Sequence, residues 1–180
     1  MIAYKGFHRG LVCRDYQFVM GLNVTEKASC RANGFHCAEN PLDCLCYYPD
    51  IGHSEYYLVN AGGDVDEDSD DSKIACTELT ILKKLEREEL FLHALAYMVD
   101  HPKREWSDLV QKDTGYTKCG FAIVRGADPV ATGQRGDILA FAKEAPRSSD
   151  IIQIAVTRVD GKKIKAGIWY DTNLTERKVA

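Results

Sequence analysis

The sequence predicts an α+β, mainly β protein, and three observations carry that reading. Short β-branched and aromatic runs fill the first third, one segment repeats its apolar residues at helical spacing, and glycine punctuates the last third. A chain of 180 residues has room for one sizeable core, or for a main domain with a small appended module. The expected division is a first domain over 1–102 and a β module over 103–180.

Ile2 to Phe7, Leu11 to Cys13 and Tyr16 to Met20 are separated by glycine and charge, which predicts a small meander of strands. Gly34 to Cys37 predicts another strand. Asn40-Pro41 then offers a capping side chain followed by proline at the first helical position, where its missing N–H costs nothing. A short helix from Pro41 to about Tyr48, stopped by Pro49, follows. Glu55 to Ala61 alternates as a strand that Gly62-Gly63 ends, and the acidic run Asp64 to Asp71 reads as a loop. Ile74, Cys76, Leu79, Ile81 and Leu82, with Thr77 and Thr80 between them, predict a further strand.

Leu90, Phe91, Ala94, Leu95 and Met98 recur at helical spacing, with acidic residues in the opening turn and His101-Pro102 at the exit. Helix is not expected from Gly115 to Glu144, where glycines divide short apolar runs. Ile151 to Val159, Asp160-Gly161, Lys162 to Ile164 and Ile168 to Tyr170 read as a closing hairpin with a tight Asp-Gly turn.

Composition narrows the function classes. Hydrophobic residues at 45% and charged residues at 28% match ordinary globular usage. The longest apolar run falls short of a membrane span, and no secretory leader is visible, so the expectation is a protein that stays in the cytoplasm where it is made. Seven irregularly spaced cysteines fit a reducing compartment and buried thiols, not a disulfide scaffold. A net charge of -4 argues against a nucleic-acid partner met over a broad basic face.

Three motifs carry a family resemblance. Tyr4-Lys5-Gly6-Phe7 opens the chain, Gly34-Phe35-His36-Cys37-Ala38-Glu39-Asn40-Pro41-Leu42-Asp43 stands at the centre, and Val159-Asp160-Gly161-Lys162-Lys163-Ile164-Lys165 with Ile168-Trp169-Tyr170 closes it. Together they resemble an uncharacterised group of phage and prophage accessory proteins. That resemblance implies a phage-derived protein acting, without a cofactor, by binding a host macromolecule, with a host protein as partner and host defence as its target. Longer relatives carry β-solenoid repeats before the closing motif. This chain looks like a version with few or none, a stubby roll, which leaves a structural assembly protein as a further alternative.

The first half is also similar to small ADP-ribosyltransferases of the kind that inactivate rifamycins, which hold NAD in a cleft between split half-sheets. The similarity implies an ADP-ribosyltransferase-like first domain, with NAD as the alternative cofactor. It places Tyr4, Lys5, Gly6, Phe35, His36, Tyr47 and Tyr48 in the cofactor cleft. Glu78 would be the carboxylate that stabilises the charge developing as the glycosidic bond breaks. Lys5 departs from that family's pattern, which has His or Arg there. The other reading of the same residues is bulge glycines and core aromatics in a fold without catalysis.

Cys30, His36, Cys37, Cys44 and Cys46 are soft ligands without a Cys-x-x-Cys pair, and the expectation is no metal. Asp64 to Asp71 fails the calcium-loop pattern, lacking glycine at the sixth position and glutamate at the twelfth. His93 and His101 are accounted for as helix-surface and helix-end residues.

Overall fold

The computed structural model describes residues 1–30, 33–67 and 72–179. The chain groups into two compact units, Met1–Glu86 and Arg87–Ala180. Strand dominates both, as the composition of the segments predicts, and among the described residues no helix is long and apolar enough to cross a membrane.

The first unit contains β1 (Ile2–His8), β2 (Val12–Cys13), β3 (Tyr16–Gln17), β4 (Gly21–Val24), β5 (Phe35–Ala38), α1 (Pro41–Tyr47), β6 (Ser54–Glu67) and β7 (Lys73–Leu85). All its pairings are antiparallel, and four of them close a ring: β1 on β6, β6 on β7, β7 on β5, and β5 back on β1. Alternate residues of β1, β5 and β6 point into the ring, and on β7 the inward set shifts by one between Cys76 and Leu79; Ala3, Phe7, Phe35, Cys37, Val59, Ile74, Cys76 and Leu79 pack together there. Lys5 falls on this inward face between Ala3 and Phe7 and is only 5% exposed.

Two local expectations change. Gly62-Gly63 does not end β6. Gly63 adopts φ +68° within a register shift between Gly62 and Val65, and the Thr77 hydroxyl accepts the Asp64 N–H, so the glycines form a bulge and the strand runs on to Glu67. Asp64 to Glu67 are therefore strand, while the rest of the acidic run lies outside the described residues. Gly21–Val24 pairs with Ile81 to Glu78 of β7 as an edge strand in which the usual pattern is reversed, with Leu22 and Val24 exposed and Asn23 buried.

α1 begins as its sequence dictates. Asn40 is extended at φ -85° and ψ 118°, its side chain accepts from the Leu42 N–H, and Pro41 takes the first helical position.

The second unit contains α2 (Arg87–Asp100), β8 (Val110–Tyr116), β9 (Phe121–Thr132), β10 (Ile138–Glu144), β11 (Ile151–Arg158), β12 (Trp169–Asp171) and β13 (Glu176–Arg177). β9 lies parallel to both β8 and β10, with Val110 opposite Ile123 and Ile138 opposite Phe121. α2 buries Leu90, Phe91, Ala94 and Leu95, the stripe its spacing predicts, and it packs with β10 and β11 of its own unit.

The closing hairpin does not form as expected. β11 pairs with β10, while β12 pairs with β9 and β13. Asp160 is the cause: its carboxylate accepts the N–H groups of Lys162 and Ile164, removing donors that a ladder would need. Ile164 then turns inward to pack with Val159 and Tyr170.

Candidate functional site

β1 and β5 share one pairing, Tyr4 opposite Ala38. Continuing that antiparallel register would set Gly6 against His36. The strands part instead, and the Gly6 N–H turns to the Cys44 thiol on α1. The Lys5 ammonium donates to the His36 carbonyl oxygen at 2.6 Å, spanning the gap with a side chain.

A cavity of about 730 Å³ occupies this opening. Tyr4, Lys5, Gly6, Phe35, His36, Tyr47 and Tyr48, the seven residues placed in a cofactor cleft by resemblance, all line it. Glu78 is not among its lining residues. It is exposed on β7, opposite Val24 of β4 and Gly62 of β6, so the structure does not bring the expected carboxylate to the site.

Among the lining residues that the sequence did not place in a site are Cys13, at the end of β2, Arg14, in the β2–β3 turn, and Lys73, at the start of β7, while Cys44 of α1, weighed only as a soft metal ligand, lines the cavity as well. Arg14 is held at φ +53°, a left-handed conformation that costs a residue with a side chain of order 1 kcal/mol. No spacing rule points to them, because the ring closure that collects them is long-range.

Among the described residues lining the cavity, the cations Lys5, Arg14 and Lys73 outnumber the carboxylates Asp15 and Asp43, and Asp43 is taken up by the Ser72 hydroxyl and N–H. Lys5 has no carboxylate partner among the described residues. Its ammonium meets the His36 carbonyl, the Cys13 sulfur at 3.7 Å, and the ring faces of Phe7 and Phe18, each 5.2 Å away. A buried cation with no countercharge carries a desolvation cost that an anion entering the cavity would offset.

The neighbouring groups register burial and this field. Burial holds the His36 imidazole below its ordinary value, helped by Lys5, Lys73 and Arg14 and opposed by the Ser29 carbonyl. Burial lifts the Tyr48 hydroxyl, and its hydrogen bond to Cys13 adds to the rise. Burial also pushes the Cys44 thiol up to about 12. The Cys37–Cys76 contact raises the Cys37 thiol, with burial adding to the rise, and lowers that of Cys76. Among the described residues no group of three or more His, Cys, Asp or Glu could hold a metal ion.

Residues 1–93 match the model of a family described as a domain of unknown function, DUF7666. No curated protein and no solved structure matches the chain, so the resemblances to phage accessory proteins and to ADP-ribosyltransferases rest on the motifs alone.

Proposed function

The chain belongs to the DUF7666 family, and from the geometry of its Met1–Glu86 unit we propose that it is a binding protein whose cavity takes a small organic anion. The observation that carries this is Lys5: an ammonium 5% exposed, facing a cavity of about 730 Å³, with no carboxylate partner among the described residues. Arg14 and Lys73 add charge of the same sign, and Tyr47 and Tyr48 supply ring faces on which a planar group can stack. A phosphate- or carboxylate-bearing molecule with a flat ring satisfies both.

NAD fits that description, and the transferase reading would retain it. Turnover is less well supported, because Glu78 stands outside the cavity. The wider role, a phage-derived accessory protein acting on a host macromolecule, is a proposal carried by the motifs; in that role the cavity would seat an anionic group of the partner.

Thermal unfolding with millimolar NAD, and separately with adenosine, tests the reading. A ligand at about 100 times its Kd adds about 2.7 kcal/mol, which raises the midpoint by several degrees. The expected result is a rise with NAD, none with adenosine, and no rise with NAD in Lys5→Met. An equal rise with adenosine would remove the anion from the argument, and no rise with NAD, ADP or inorganic phosphate would remove the ligand.

A further inference from the structure

The same cavity sets a nucleophile beside its buried cation. Cys13 Sγ accepts from the Tyr48 hydroxyl at 3.0 Å and from Lys5 Nζ at 3.7 Å. Both donors point at the one atom that carries the negative charge of a thiolate nucleophile. The other thiols lining the cavity, Cys30, Cys37 and Cys44, are buried, whereas Cys13 is half-exposed and followed directly by Arg14. Cys46 and Cys119 are exposed and do not line the cavity.

We infer that Cys13 is a nucleophile for carbon electrophiles that carry a carboxylate or phosphate, an inference that rests on the anion-binding reading. The cations hold the anionic group, and the sulfur meets the electrophilic carbon beside it. The Cys13 thiol gives its proton to solvent and the sulfur forms a bond to carbon. The bond from carbon to the leaving group breaks, and the leaving group departs with its electron pair. No oxidant or metal enters the balance. Tyr48 acts as a positioning residue: its hydroxyl fixes the sulfur, and its ring lies over Gly6.

Iodoacetate and iodoacetamide share one leaving group and differ in charge, so their relative rates at each cysteine isolate the anion preference. Exposed thiols favour the neutral reagent, since a thiolate repels a carboxylate, and Cys119 serves as the reference inside the same molecule. Peptide mass spectrometry of the folded protein should show an iodoacetate-to-iodoacetamide rate ratio at Cys13 at least about tenfold above that at Cys119. Lys5→Met should lower that ratio towards the reference and Lys5→Arg should restore it, while Tyr48→Phe should slow both reagents and leave the ratio in place. Equal ratios at Cys13 and Cys119 in the wild-type protein, or no reaction at Cys13 while Cys119 reacts, would overturn the inference. A midpoint raised by NAD together with equal ratios would leave the binding reading standing and the nucleophile gone; failure of both would remove the site.

Discussion

Lys5 Nζ lies 2.6 Å from the carbonyl oxygen of His36, bridging two strands at the point where their ladder stops. The ammonium thus replaces a backbone pair, and it keeps β1 and β5 joined across the mouth of a cavity. Replacing it with methionine removes a buried charge and also a hydrogen bond, and these two changes are opposite in sign. Lys5→Met should therefore leave ligand-free stability within about 1 kcal/mol of wild type. Lys5→Ala, which also opens a void, should lose about 2 kcal/mol or more. Six of the seven cysteines lie in this unit, so release of Cys37, Cys44 and Cys76 to a thiol reagent in urea follows its unfolding. A large loss in Lys5→Met would mean that the ammonium is a structural strut and not a waiting anchor.

Gly6 is required by close approach. A Cβ built there would stand 2.5 Å from Cδ2 and 2.9 Å from Cγ of Tyr48, well inside contact distance. Gly6→Ala should displace the Tyr48 ring, break its hydrogen bond to Cys13, and cost about 1–3 kcal/mol. Gly34 is constrained twice, by φ +93° and by a Cβ position 2.8 Å from the Ala28 Cα. Gly34→Ala should cost at least as much, measured by the same thiol release, and a neutral result at both would show that the cavity wall yields freely.

What the sequence shows of this fold is what local chemistry decides. Asn40-Pro41 fixes the start of α1 by capping, and Leu90 to Met98 fix the buried face of α2 by periodicity. Where distant groups compete, local reading fails. Thr77 turns Gly62-Gly63 from a strand end into a bulge, and Asp160 turns an Asp-Gly hairpin signal into a closed side-chain turn. The site divides in the same way. Residues near Tyr4 and Phe35 lie in motifs and were legible, whereas Cys13, Arg14 and Lys73 reach the cavity only because β1, β5, β6 and β7 close a ring. Glu78 shows the limit of chain order as a guide, since its place on β7 is correct as strand and points elsewhere. Glu78→Gln should accordingly leave both stability and the response to NAD unchanged, and a lost response would return the carboxylate to the site.

Arg125 holds the second unit by a different device. It is 2% exposed, its Nε donates to Glu144 at 2.7 Å, its Nη2 donates to the carbonyls of Pro102 and Ser149, and its guanidinium lies 4.8 Å from the Trp106 ring. Removing one partner of such a network leaves Glu144 and two carbonyls without their donor. Arg125→Met should cost about 3–5 kcal/mol, and Arg125→Lys should recover only part, because an ammonium lacks the planar fork. Both tryptophans, Trp106 and Trp169, belong to this unit, so their fluorescence in urea reports it directly. A loss below 1 kcal/mol in Arg125→Met would show that the pocket repacks around an apolar chain.

His36 ties the cavity to pH, and the sign follows from its surroundings. Burial, then Lys5, Lys73 and Arg14, hold its folded-state pKa below the ordinary imidazole value. Folding therefore favours the neutral ring. Its contribution is complete above the unfolded pKa and is lost as pH falls through that value towards the folded one, because the unfolded chain then binds the proton more readily. Between about pH 7 and pH 5 the thermal midpoint of wild type should fall more steeply than that of His36→Gln. His8, Asp15 and Asp43 also line the cavity and are the same in both proteins, so the difference between the two slopes isolates His36. An anion in the cavity reverses the balance, since it favours the protonated ring. The rise in midpoint produced by NAD should then be larger at about pH 6 than at about pH 8, and His36→Gln should flatten that dependence. If the NAD response were the same at both pH values, or larger at the higher one, the anion would be bound away from His36 and the cavity would not be its site.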